Sequence, residues 1–396
     1  MASVKVKDGI HWVGAVDYDV RDFHGYVTPR GTSYNAYLIL DEKTALVDTV
    51  KKGFLADLLA HAGAHVDLSR LDYLVVNHVE MDHSGSVPDI LARAPRAVIV
   101  CTQKGREGLE RHYGIRDRTF KIVKTGDTLS LGKRTLAFVT APMVHWPDSM
   151  FTYAAEDRVL LPNDGFGQHL ASAHRFADEV GEELCMEEAA KYYANILMPL
   201  GSVIAKKLEE IARLKLVFDV IAPSHGAIWR RDPARIVNAY RDWTVFKALP
   251  KVTIVYDTMW GSTEKLARSL TEYLTGQGLD VKLHRIRTSD GSQIVRDVLD
   301  SRVVLIGAPT LNADLYWTVG GFLTYLRGLK PKNKKVGIFG SYGWAEGASR
   351  VIRRDIEAMG LDVLGEPFEV QYIPAAEDMK RLEEYGAAVA AAAKEG

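Results

Sequence analysis

From Val252 onward the sequence repeats one unit, an apolar run followed by a turn and a helical segment, and no feature of the chain narrows its fold more. The runs are Val252-Thr253-Ile254-Val255-Tyr256, Val303-Val304-Leu305-Ile306 and Val336-Gly337-Ile338-Phe339. Strand, turn and helix in alternation predict a parallel α/β sheet about the size of one small doubly wound domain. Upstream of Leu249-Pro250 the pattern differs, and 396 residues are too many for one ordinary core, so two domains are expected, 1–249 and 250–396.

The first part opens with short β-rich runs such as Ser33 to Leu40 and Thr44 to Val50. Phe54, Leu55, Leu58 and Leu59 give Gly53 to Val66 a helical spacing, Leu71 to Val76 and Ala97 to Cys101 read as buried strands, and Phe120 to Tyr153 as hairpin-like segments. An α+β layered domain follows from that mixture. A long helical tract is expected from about Phe176 to Leu214, a strand from Leu216 to Ile221, and a closing helix in the alanine-rich tail Gly386 to Lys394.

Fifty Lys plus Arg against 51 Asp plus Glu leave a net charge of −1, which provides no basic field for nucleic acid or an anionic membrane. No apolar run approaches the ~20 residues of a membrane span, and Met1 to Lys7 lacks the apolar core of a signal peptide, so a cytoplasmic protein is expected. Cys101 and Cys185 cannot supply a disulfide framework, a structural zinc site or a cluster held by four thiolates. Any metal must take nitrogen and oxygen ligands.

Such ligands crowd Asn77-His78-Val79-Glu80-Met81-Asp82-His83-Ser84-Gly85, directly after the apolar run ending at Val76. On an extended segment His78, Glu80 and Asp82 point one way, and Asp82 and His83 must diverge. Ionisable groups packed this closely at the end of a strand need a compensating charge. His145, Asp164 and His225, each in a short loop after an apolar segment, fit as remaining ligands.

This arrangement resembles the metallo-β-lactamase fold, with its His-x-His-x-Asp-His motif followed by a distant His, Asp and His, and implies an αββα sandwich. Glu80 stands where the hydrolases carry their second histidine, and a hard carboxylate among imidazoles favours iron over zinc. That variant is the mark of the flavodiiron proteins. The resemblance implies two iron ions, one held by His78, Glu80 and His145, the other by Asp82, His83 and His225, with Asp164 bridging. Three carboxylates and a bridging hydroxide would neutralise two ferrous ions, so reduction would make a buried site neutral. His24, His169, Tyr193 and Trp146 resemble pocket positions of the family.

The strand ending at Tyr256 runs into Asp257-Thr258-Met259-Trp260-Gly261-Ser262-Thr263, which offers backbone N–H groups and three hydroxyls at a helix N-terminus. With no lysine in the loop it suits a monophosphate, and it lacks the patterns of triphosphate and dinucleotide sites. Two more loops follow strands: Pro309-Thr310-Leu311-Asn312, able to give backbone hydrogen bonds to a flavin ring, and Ser341-Tyr342-Gly343-Trp344, able to cover it. Residues 251–394 resemble short-chain flavodoxin, which implies FMN.

The family resemblance covers the whole chain and implies an oxidoreductase in which FMN passes electrons singly to the irons, reducing O2 to water or NO to N2O. With no Cys-x-x-Cys in the chain, the donor is expected to be another molecule, a rubredoxin or a reduced deazaflavin. The few residues around Ala248 to Lys251 are too short a tether for a swinging domain. The resemblance implies a head-to-tail homodimer instead. A zinc hydrolase fused to a flavodoxin, and an FMN carrier without metals, are the competing readings.

Overall fold

The computed structural model describes residues 2–395. The chain divides into two compact units, one of residues up to 192 with 202–241, the other of 193–201 with 242 onward. The second unit therefore starts before residue 250 and takes in a short segment from within the long helical tract. Asn195 explains that recruitment: its amide donates to the Ser292 carbonyl at 3.1 Å and its oxygen accepts from the Tyr325 hydroxyl at 2.5 Å.

The first unit is built on a seven-stranded and a five-stranded sheet. Alternation along the strands sorts their side chains. In the larger sheet Leu38, Leu46, Leu74 and Ile99 pack with Leu58, Ile90, Leu91 and Leu109 of the covering helices. Their neighbours Tyr37, Ile39, Val47, Val75 and Val100 turn the other way and cluster with Leu129, Leu136, Phe138, Met150 and Leu161 of the smaller sheet. Ile204, Leu208 and Ile211 of the helix Gly201–Arg213, together with Tyr240, meet Phe151 beyond it. The result is the expected αββα sandwich.

Register gathers the loops that matter onto one rim. Thr140 pairs with Met150, Thr152 with Leu161, and Leu160 with Ile221, so the loops after residues 140, 161 and 221 leave the smaller sheet side by side. The segment after Tyr73–Val75 joins them, since the Met150 N–H donates to the Asn77 carbonyl at 3.0 Å.

Two expected elements differ. The helical tract is broken into the helices Ala177–Val180 and Glu182–Tyr192, a π-helical turn Tyr193–Leu197, a 3-10 turn and the helix Gly201–Arg213. The strand expected over 216–221 is only Val220–Ile221. Val217 in the first part of that run is exposed, with no sheet neighbour to make its β-propensity count.

In the second unit the strands run Asp280–Arg285, Leu249–Tyr256, Ser301–Leu311, Lys335–Tyr342 and Asp362–Val363, giving the order 2-1-3-4-5 of the flavodoxin-like doubly wound sheet. These pairings are parallel. Val252, Ile254, Val303 and Leu305 pack under the helix Ser262–Gly276 and the closing helix Ala376–Lys394. Among the described residues no helix is long and apolar enough to cross a membrane.

Leu305 is fully buried in this core. Leu305→Ala should cost about 2–5 kcal/mol, seen as a lower denaturation midpoint at unchanged slope.

Candidate metal centre and flavin cleft

Asp164 is the pivot of the rim. Its Oδ2 lies 3.1 Å from His145 Nε2 and 3.8 Å from His78 Nε2, while its Oδ1 lies 3.1 Å from His83 Nε2 and 3.3 Å from His225 Nε2. Glu80 completes the first side, with Oε2 3.3 Å from His78 and 3.5 Å from His145. Asp82 completes the second, with Oδ2 3.1 Å from both His83 and His225. All seven candidate ligands are brought together.

Asp82 and His83 do not diverge, contrary to the alternation expected of an extended segment. Residues Met81–Ser84 form one helical turn directly after Glu80, and that turn swings both side chains to the same side of Asp164. Glu80, outside the turn, stays with His78.

Burial makes the charges costly. Asp82, Asp164, His78, His83 and His225 are buried, yet among the described residues both oxygens of Asp82 and the Nε2 atoms of His83 and His225 have no hydrogen-bond partner. Burial would raise the two carboxyls, but His83 and His225 overcome it and hold both well below the ordinary range. Burial would likewise depress His225, but Asp164 and Asp82 push it up to about 10. The donor atoms lie within 4.8 Å of one another inside each of three overlapping groups, His78/Glu80/His145/Asp164, His24/Asp82/His225 and His83/Asp164/His225, and such mixed imidazole and carboxylate sets fit metal ions.

The supporting hydrogen bonds come from residues that the motif did not reveal. Buried Asp48 accepts from the Asn77 N–H at 2.7 Å and from the Asn163 amide at 3.1 Å, tying the first ligand loop to that of Asp164. Asp148 takes His78 Nδ1 at 3.0 Å, Ser224 donates to Asp164 at 2.9 Å, and His225 Nδ1 meets the Ser33 carbonyl at 2.7 Å. The only sequence signal was position: Asp148 shares the loop of His145, and Ser224 precedes His225.

Above the ligands, the hairpin Asp22–Phe23/Tyr26–Val27 turns through His24 and Gly25 with φ of 53° and 78°. A two-residue turn with both residues left-handed is the tight hairpin form, and glycine adopts it without strain. It aims His24 Nε2 at Glu80 and Asp82, 3.6 and 3.8 Å away. His24 Nδ1 sits 3.2 Å from His169 Nε2, and His169 Nδ1 2.8 Å from the Thr32 hydroxyl. Trp146 packs at 5.1 Å from the His78 ring.

Tyr193 is not at this site. Its ring packs on Trp243 at 5.2 Å, and the adjacent Tyr192 stands against His169 and His225, at 5.0 and 6.2 Å. The π-helical turn starts between the two tyrosines, so the helical face carried to that point belongs to Tyr192.

In the second unit a cleft of about 460 Å³ is lined by Met259, Trp260 and Ser262, by Pro309, Thr310, Leu311 and Asn312, and by Ser341, Tyr342, Gly343 and Trp344. Ala313, Ala345, Tyr372 and Ile373 also line it and were not anticipated. Beneath, Gly261 has φ of 92° and a Cβ there would meet nothing within 4 Å, which leaves an open cradle at the start of a 15-residue helix lacking a side-chain cap. The first-turn N–H groups of a helix have no intrahelical acceptor, and around an open cradle they fit a phosphate. Two of the three hydroxyls are already engaged: Thr258 accepts from the Gly261 N–H at 3.1 Å and Thr263 bonds Ser341 at 2.9 Å, leaving Ser262 at the cleft.

Compared with known proteins, the chain matches the family described as ODP family beta lactamase over residues 32–226 and the flavodoxin family over 254–386. It is 50% identical to a protein of Moorella thermoacetica named nitric oxide reductase, over 98% of each chain. Its structure is similar to that of the rubredoxin oxygen:oxidoreductase of Desulfovibrio gigas, with 38% identity and a TM-score of 0.95 over 99% of this chain and 98% of that one. It is also similar to the flavodiiron protein of Giardia intestinalis, at 34% identity and a TM-score of 0.95 over 99% and 97%. Full-length identity of this degree, both domains in the same order and a carboxylate among the imidazoles make the chain a member of the flavodiiron protein family.

Proposed function

We propose that the chain is an oxygen or nitric oxide reductase in which His78, Glu80 and His145 hold one iron, Asp82, His83 and His225 hold a second, and Asp164 bridges them. The observation carrying this reading is that one Asp164 oxygen faces His78 and His145, which share Glu80, and the other faces His83 and His225, which share Asp82. Iron bound there supplies accessible redox change and open positions for a diatomic gas.

The chain's own side chains do the rest. Reducing O2 to two waters needs four electrons and four protons, and coupling two NO to N2O and water needs two of each. His24, backed by His169 and Thr32, holds a proton at Nε2 toward the ligand carboxylates. Phe23 and Tyr192 pack against His24 and His169 and help fix their orientation. The backbone N–H groups of Ser262 and Thr263 would hold the phosphate of FMN, and the 309–312 and 341–344 loops, which line the cleft, would hold its ring. A rubredoxin, as in the name of the Desulfovibrio relative, or a reduced deazaflavin supplies the electrons. The chain works as a head-to-tail homodimer in which the partner's flavin serves each metal site. Trp260 and Trp344, 89% and 90% exposed on the cleft rim, are apolar surface that a second copy would cover.

Elemental analysis should find roughly two iron ions per chain and little zinc, given the mixed carboxylate and imidazole donors. Glu80→His should shift occupancy toward zinc and abolish the oxidation of reduced protein by O2 and by NO in anaerobic stopped-flow. Zinc with hydrolytic turnover in the unsubstituted protein would refute the reading.

Gly261→Val should release flavin on gel filtration, because a side chain would fill the cradle and because φ of 92° strains any β-branched residue. Retention of full flavin absorbance would show the phosphate loop to be misplaced.

A mixed dimer of a Gly261→Val chain and an Asp164→Ala chain, isolated by two affinity tags, should keep one working site if electrons cross between subunits. An inactive mixed dimer with its remaining cofactors intact, or a fully active monomer, would exclude the arrangement.

A further inference from the structure

The two sides of the centre have equal donor sets: two imidazoles, one terminal carboxylate and one oxygen of Asp164 each. Any inequality between bound metals must come from what stands behind those donors, and there the two sides differ. His78 directs Nδ1 to Oδ2 of Asp148 at 3.0 Å, and the same oxygen accepts from the Val79 N–H at 2.7 Å. Asp148 is buried, and its own carbonyl accepts from the Thr102 hydroxyl at 2.9 Å, so the carboxylate is fixed in place. His225 directs Nδ1 to a neutral carbonyl, that of Ser33, at 2.7 Å. His83 Nδ1 has no hydrogen-bond partner among the described residues, and the buried Asp48 carboxylate that acts on His83 electrostatically accepts from Asn77 and Asn163 rather than from the ring. An imidazole whose N–H is shared with a carboxylate is the stronger donor at its other nitrogen.

The bridge is polarised in the same sense. Ser224 donates to Asp164 Oδ1 at 2.9 Å, and Oδ1 is the oxygen turned toward His83 and His225. A hydrogen bond to that oxygen withdraws electron density from one side only. His24 stands between the sides, 3.6 Å from Glu80 and 3.8 Å from Asp82, and favours neither.

We propose that Asp148 and Ser224 are positioning residues that make the two metal positions electronically unequal, the His78/Glu80/His145 side being the richer. The inference rests on the diiron reading. Stronger donation stabilises the oxidised ion, so the first electron from reduced flavin settles on the Asp82/His83/His225 side and the second on the His78 side. Each step transfers one electron and breaks no bond.

The test is a redox titration of the iron-loaded, flavin-loaded protein, following by electron paramagnetic resonance the half-reduced pair of one ferric and one ferrous ion. Asp148→Asn keeps an oxygen for His78 and Val79 but removes the charge. It should raise the lower of the two midpoint potentials, leave the upper in place and narrow the range over which the half-reduced signal persists. Ser224→Ala should narrow the same range from above, by lowering the upper potential, and Asp148→Glu should restore the lower one. One iron per chain should also pass to a chelator more readily in Asp148→Asn, with affinity weakened about 10–100-fold. A range that stays unchanged or widens, or both potentials moving together, would overturn the proposal even if Asp148→Asn lost stability, because Ser224→Ala reads it independently. Absence of iron from the unsubstituted protein would overturn this inference together with the diiron reading, whereas iron with an unmoved range overturns this inference alone.

Discussion

Three carboxylates and four imidazoles converging on the rim of one sandwich is the constraint around which the first unit is organised. Removed from water, Asp82 and Asp164 repel each other, and the imidazoles compete for the same space. Such a cluster holds its shape only if each loop is anchored independently of the charges it carries. The anchors are visible. Asp48 joins the loops of Asn77 and Asn163, and Asn35 donates to the carbonyls of Pro223 and Gly226 around His225. The Ser33 hydroxyl accepts from the Gly226 N–H. Asp48 itself sits at φ of 58°, a backbone cost that a non-glycine residue bears only where its surroundings over-determine it.

The second unit handles charge in the opposite way. Asp257, fully buried at the head of the phosphate loop, accepts from the Thr258 N–H at 2.8 Å and the Thr318 hydroxyl at 2.7 Å, and pairs with Arg287 at 3.0 Å. Arg287 also donates to the Thr258 carbonyl, and Arg285 stands 3.5 Å from the same carboxylate. The guanidinium groups nearest the loop are thus committed to an internal carboxylate. A phosphate there has to be held by backbone N–H groups and the helix dipole, with the Ser262 hydroxyl beside them. The cradle is neutral and preformed, whereas the candidate ligand cluster gathers charged side chains out of water.

What could be read from sequence followed from local pattern. The seven candidate ligands that the structure brings together could be picked out because four crowd into one segment and the others follow apolar runs. The loops that line the cleft could be picked out because they end strands. The failures share a physical origin in backbone geometry that leaves no mark in residue type. One helical turn at Met81–Ser84 reversed the expected divergence of Asp82 and His83. One π-helical turn exchanged Tyr192 for Tyr193. Asp148 and Asp48 act through hydrogen bonds between segments far apart in sequence, which residue spacing does not report, and for Asp148 only its place in the loop of His145 gave a signal.

The cleft rim shows what the fold of a single chain leaves unfinished. Trp260, Trp344 and Ile373 are 89%, 90% and 77% exposed around one opening, although tryptophan is among the side chains that gain most from burial. Intrinsic β or helix preference cannot account for their position, since all three sit in turns or loops. A planar aromatic ligand in the cleft would stack against the indoles from within, but an indole has two faces, and the outward faces would still meet water. Exposed apolar surface concentrated around one opening marks a place where ligands or partners bind. Only a second surface laid over the rim would bury both faces of each indole, which the proposed dimer would supply.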